Sequence, residues 1–308
     1  MPSAKLPFGL HRKRYLNFNM HLFKSARVFT GIYLLLAGQL LWASPKEQTV
    51  SLTTKDGWAL SAVYLPASSQ DTTAVLLHDL GKNKEAFTSF RKALAKAGFG
   101  YLAVDLRGHG QSTSGGTYKN FAKEGPDNPF NKMAQDTQAA VNFLTSKSVP
   151  LQNIVLIGTG LGANVAAKTS GALPNVKAIA LISPGVNIRD VLTVPALRAY
   201  KGAVLLAASA DERKGFLEAS ILRNVAFLTT GEGNVTFLTA YDLSSHALLD
   251  KYLTPALLQW LSTPTKPEVL PDANPLPVHH EDTAALTQGI PVAPSNTEQA
   301  LMPSVLAE

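Results

Sequence analysis

Residues 157–166 read "IGTGLGANVA". The run before them, "NIVLI" (153–157), is apolar and partly β-branched, and "ANVAAK" (163–168) after the turn favours helix. Between them Gly158, Gly160 and Gly162 stand at alternate positions. The stretch predicts a buried strand, a tight glycine turn and a helix that begins at once. A strand joined so closely to a helix belongs to a layered fold in which helices cover a parallel sheet.

The same alternation extends outward in both directions. "TAVLLHD" (73–79), "GYLAVDL" (100–106), "VKAIALIS" (176–183), "AVLLAAS" (203–209) and "VTFLTAY" (235–241) read as strands. "KEAFTSFRKALAKAG" (84–98), "FNKMAQDTQAAVNFLTSK" (130–147) and "LDKYLTPALLQWLS" (249–262) read as helices, the last despite Pro255. "TVSLTTKDGWALSAVYLP" (49–66) alternates, with Lys55-Asp56-Gly57 as a hairpin turn. The expected fold is α/β, one domain over residues 49–262, with a mostly parallel central sheet and helices on both faces. The stretch 186–202 is too short for a lid domain.

The chain has 308 residues, 45% of them hydrophobic and 16% charged, enough to bury a sizeable core. There is no cysteine, which excludes disulfides, thiolate metal sites and a cysteine nucleophile. The net charge of +6 comes from the leader: residues 1–43 hold Lys5, Arg12, Lys13, Arg14, Lys24 and Arg27 and no acid. Removing those six from the 28 Lys and Arg leaves 22, against 22 Asp and Glu. The remainder is formally neutral, which removes the case for a nucleic-acid partner.

The leader's apolar run, Val28 to Ala43, is shorter than the roughly 20 residues that span a bilayer. With Ala43-Ser44 as a cleavage point before Pro45, residues 1–43 are expected to be a signal peptide, and the protein periplasmic or secreted. The alternative is an inner-membrane anchor formed by residues 28–43, the sole route to a membrane. Met20 is an alternative start to Met1. The segment 263–308 is Pro-rich and lacks aromatics, which predicts a disordered tail. Its His279-His280-Glu281-Asp282 run reads as solvated rather than metal-binding, and no metal or cofactor is expected.

Several segments in a fixed order resemble the α/β-hydrolase family, in particular small bacterial dienelactone hydrolases and esterases. They are "LLHDLGKNKEAF" (76–87), "AVDLRGHGQST" (103–113), "QDTQAAVNFL" (135–144), "GTGLGAN" (158–164), "LISPG" (181–185), "LLAASADERKG" (205–215) and "YDLSSHALLD" (241–250). In that family the strand–turn–helix reads Gly-x-Ser-x-Gly, a nucleophile elbow, and here the serine's place holds Gly160. The resemblance implies Asp211 as the orienting acid, His246 as the base, and the backbone N–H groups of Leu80 and Leu161 as the oxyanion hole. Each has a plainer reading: Asp211 can be a solvated acid at a helix start, and His78 and His109 can serve as structural supports.

Thr159 sits one residue early, and no other Gly-x-Ser-x-Gly occurs; Ser112, Ser183 and Ser244 follow other strands. The resemblance therefore implies a catalytically degenerate relative of ester and acyl hydrolases, a binding or scaffold protein for a small ester-like ligand. One alternative is a weak hydrolase working through His246, Asp211 and the oxyanion hole. Another is a membrane-tethered protein whose tail is the working part. If only the hydroxyl is missing, Gly160→Ser should restore activity, because the two N–H donors would stand ready for an acyl oxygen.

Overall fold

The computed structural model describes residues 45–125, 127–241, 243 and 247–264. The leader (1–43), all but the first two residues of the tail (263–308) and His246 lie outside the described residues. Within them the chain starts with a hairpin, β1 (Gln48–Thr53) and β2 (Ala59–Leu65), paired antiparallel. There follow β3 (Thr73–Leu77), α1 (Thr88–Lys96), β4 (Gly100–Val104), α2 (Pro129–Ser146), β5 (Ile154–Thr159), α3 (Leu161–Ala172) and β6 (Ala178–Ile182). The stretch after β6 holds a small hairpin, β7 (Asn187–Ile188) with β8 (Val191–Leu192), and the short α4 (Val194–Ala199). The chain then runs through β9 (Ala203–Ser209), α5 (Arg213–Thr230), β10 (Val235–Ala240) and α6 (Thr254–Ser262).

Eight strands form one sheet in the order β1-β2-β4-β3-β5-β6-β9-β10. From β4 to β10 every neighbouring pair is parallel. Two cores flank it, because successive side chains of a strand point to opposite faces. Val75 and Leu77 of β3 pack with Met133, Leu144 and Leu222 from α2 and α5. Ala74 and Leu76 pack on the other face with Phe90, Leu94, Leu257 and Trp260 from α1 and α6. Strands buried on both faces account for the unbroken apolar runs of the sequence.

Two predicted helices begin differently from the reading of their sequence. Residues Lys84–Phe87 form a tight 3₁₀ turn before α1, held by the Asn83 side chain, whose Oδ1 accepts from the Glu85 N–H at 2.9 Å. Residues Leu249–Leu253 form a π-helical turn before α6. Pro255 supplies no N–H, and the Leu249 carbonyl accepts both the Thr254 N–H and, at 2.8 Å, its hydroxyl.

The strand order reverses at β3. From β3 the chain steps outward to β4, then returns to place β5 on β3's other side. Such a switch point leaves a crevice beyond the C-terminal ends of the two strands, where open α/β sheets bind ligands. Leu77 pairs with Gly158 across it, so the residues two positions further on, Asp79 and Gly160, emerge side by side.

Candidate functional site

Gly160 caps α3 with φ +52° and ψ −118°, outside the region that side-chain-bearing residues adopt comfortably. Its neighbours are close because they too lack side chains. A Cβ at Gly158 would lie 2.2 Å from the Gly162 carbonyl oxygen, and a Cβ at Gly162 would lie 2.1 Å from that of Leu77. The three glycines thus let α3 start hard against the ends of β3 and β5.

The space beside Gly160 is taken by Asp79. A Cβ at position 160 would stand 2.0 Å from Asp79 Oδ1 and 2.2 Å from its Cγ, closer than any two such atoms pack. The same Oδ1 accepts two backbone N–H groups, from Leu80 at 2.7 Å and from Leu161 at 2.8 Å. The two N–H groups expected to await an acyl oxygen therefore already hold a carboxylate. Asp79 thus fills both the donor pair and the volume that a new side chain would take, which weighs against Gly160→Ser alone restoring activity.

His78 holds the Asp79 backbone in place. Its Nε2 accepts from the Leu106 N–H at 3.0 Å, so the ring proton sits on Nδ1 and is donated to the Asp79 carbonyl at 2.8 Å. Full burial pushes the His78 pKa down to about 4, which keeps the ring neutral and this tautomer intact at ordinary pH. The Asp79 carbonyl also accepts from the Lys82 N–H at 3.0 Å. His109 stacks on Tyr118 with ring centroids 4.1 Å apart and lies edge-on to His78, and burial lowers its pKa as well.

Beneath these loops lie ion pairs. Asp105, directly after β4, takes the Lys84 ammonium at 2.6 Å and the N–H groups of Lys84 at 2.7 Å and Gln111 at 2.9 Å. Arg107 binds Asp136 of α2 through its backbone N–H and side chain, and reaches Asp56 in the first hairpin at 2.7 Å. Its guanidinium holds the Asp56 carboxyl down at about 2. These contacts fix the loops that follow β3 and β4.

A cavity of about 330 Å³ opens in front of Asp79 and Gly160, and Thr159 and Ser183 also line it. Ser183, after β6, has φ +51°, and among the described residues its buried Oγ has no hydrogen-bond partner. Asp211 follows β9, two strands along from Gly160; it is exposed and outside the cavity lining, and its N–H donates to Ser209 Oγ at 3.3 Å. His246 falls outside the described residues. The expected pairing of Asp211 with His246 thus lies outside the described residues, and the site brings Gly160, Leu80 and Leu161 together. Asp79, which the sequence analysis passed over, is their common partner. Among the described residues no three carboxylate or imidazole groups cluster as metal ligands.

A family model described as serine aminopeptidase, S33, matches residues 68–222, just over half of the chain. No curated protein matches it. An esterase from Pyrococcus furiosus is 18% identical, with a TM-score of 0.59, over 71% of this chain and 90% of its own. An esterase domain from Rhodothermus marinus is 18% identical, with a TM-score of 0.53, over 70% and 98%. A dienelactone hydrolase from Anabaena variabilis is 15% identical, with a TM-score of 0.56, over 71% and 96%. At such identities the likeness speaks for the fold.

Proposed function

Because this chain belongs to the serine aminopeptidase S33 family of α/β-hydrolases, we propose that it is a member without covalent acyl chemistry that keeps its cavity as a binding site. Gly160 stands at the nucleophile position of the elbow, and Leu80 and Leu161 are the oxyanion hole. Acyl transfer through an elbow needs a hydroxyl beside a base and free N–H donors for the developing oxyanion. Position 160 offers no hydroxyl. The observation that carries the reading is the engagement of both donors by Asp79, at 2.7 and 2.8 Å.

The test uses purified full-length protein, an activated ester such as p-nitrophenyl butyrate, and a fluorophosphonate probe. The expected result is hydrolysis at the rate of buffer and no labelled serine. Labelling of any serine, Ser183 included, would overturn the reading. Ester turnover without labelling would favour the alternative, a weak hydrolase in which His246, oriented by Asp211, activates water.

The acid-free basic leader supports export, with residues 1–43 removed and the folded domain released to the periplasm or beyond. No helix of the described residues is long and apolar enough to cross a membrane. N-terminal sequencing of the protein recovered from a bacterial host decides the matter. A chain beginning near Ser44 supports cleavage, and an intact leader in the membrane fraction supports an anchor instead.

A further inference from the structure

We propose that Asp79 inverts the polarity of the cavity, so that it takes a ligand headed by a primary ammonium and rejects acyl and anionic groups. This rests on the reading of the Leu80 and Leu161 N–H groups as an acyl-oxygen site. Two convergent N–H groups select an oxygen carrying negative charge. Here the chain supplies that oxygen itself. Asp79 Oδ1 accepts both bonds, and its own backbone carbonyl is held by His78 and Lys82. An incoming carboxylate or ester carbonyl has to displace a tethered competitor whose effective concentration is high. It has no alternative berth at position 160, because the carboxylate occupies the space that a side chain there would fill.

What the former donor pair offers a ligand is therefore an acceptor, the Asp79 carboxylate. Among the described lining residues the exposed Lys82 and Asp250 are opposite in sign, which leaves Asp79 to set the charge of the floor. Ser183 lines the cavity too, with its hydroxyl oxygen buried beneath the surface. An ammonium carries three donors and no acceptor, so it suits a carboxylate whose two N–H bonds, among the described residues, both fall on Oδ1. Ala86 and Phe87 add apolar surface, and the volume of about 330 Å³ suits a short alkyl chain behind the charged head.

The experiment compares butylammonium and butyrate as probes, by ligand-observed NMR titration of the full-length protein and two variants whose folding is checked by thermal melting. Wild type should bind butylammonium more tightly than butyrate by roughly tenfold or more. Asp79→Asn keeps an oxygen on the two N–H groups but removes the charge. It should lose butylammonium affinity by a similar factor and gain no butyrate affinity. Asp79→Ala empties the donor pair and should both lose butylammonium and gain butyrate. The inference is overturned if wild type binds neither probe or prefers butyrate, or if Asp79→Asn holds butylammonium as wild type does. It is equally overturned if Asp79→Ala binds butyrate no better than wild type. Fluorophosphonate labelling of wild type is read separately: it would sink the degenerate-hydrolase reading while leaving the probe preference to stand or fall on its own.

Discussion

Asp79 and Asp105 stand just past the C-terminal ends of adjacent strands, β3 and β4, and both accept backbone N–H groups. They differ in what their second oxygen meets. Asp105 has both oxygens engaged inside the protein, one by the Lys84 N–H and the other by the Lys84 ammonium and the Gln111 N–H, and it is fully buried. Asp79 satisfies its two N–H donors through Oδ1 alone and remains only partly buried, facing a cavity. The same group at comparable places is thus enclosed architecture in one case and cavity lining in the other. The difference lies in whether the described residues complete its hydrogen bonding.

The comparison breaks most visibly through Asp105. Asp105→Ala strands the Lys84 ammonium in a buried setting and should cost about 3–5 kcal/mol of stability. Urea unfolding measures this, and a loss below about 1 kcal/mol would mean that Asp105 is no more structural than Asp79. The next effect comes from His78, whose ring bridges the two regions through Leu106 and the Asp79 carbonyl. Its folded pKa, about 4, lies below the ordinary 6.5, so on acidification the unfolded chain takes up the proton first. The contribution is complete above pH 6.5 and is lost as pH falls to about 4, in total roughly 3 kcal/mol. Urea titrations across that window should show the decline, and His78→Gln should flatten it.

Gly160→Ser should cost about 1–3 kcal/mol, from the positive φ and from crowding against Asp79. Combined with Asp79→Ala, the loss should be smaller than the sum of the two single losses by about 1 kcal/mol, because the crowding is shared. The single Gly160→Ser variant should stay unlabelled by a fluorophosphonate. Labelling would show that the carboxylate yields its place readily. The smallest effect belongs to Asp79→Asn, within about 0.5 kcal/mol in the same unfolding assay, since the amide oxygen can keep both N–H bonds. A larger loss would move Asp79 towards the architectural class.

The parallel sheet was readable because strands buried on both faces leave continuous apolar runs such as "AVLLAAS" (203–209), whose every residue is buried. The turn at Gly160 was readable because its glycines alternate between a strand and a helix. Asp79 was not, although it lies within a segment singled out for its motif. Its partner, the Leu161 N–H, is 82 positions away, and only the register of β3 on β5 joins them. Setting the ends of two neighbouring parallel strands side by side, and reading two residues past each, is the signal that finds it. The 3₁₀ and π turns escaped because each changes the backbone hydrogen-bond pattern over a few residues at a helix start and leaves the hydrophobic period of the helix unchanged.

Gly158 and Gly162 have no room for a methyl group, whatever stands between them. Mutational tolerance at these two positions should therefore be uniformly low across any chain built this way, inert or active, since the constraint is the distance between a strand and the helix that leaves it. A signature written around them carries most of its information about that distance. The letter between the glycines is the one that reports on reactivity, and a search that allows it to vary sorts proteins by their scaffolding rather than by what they do.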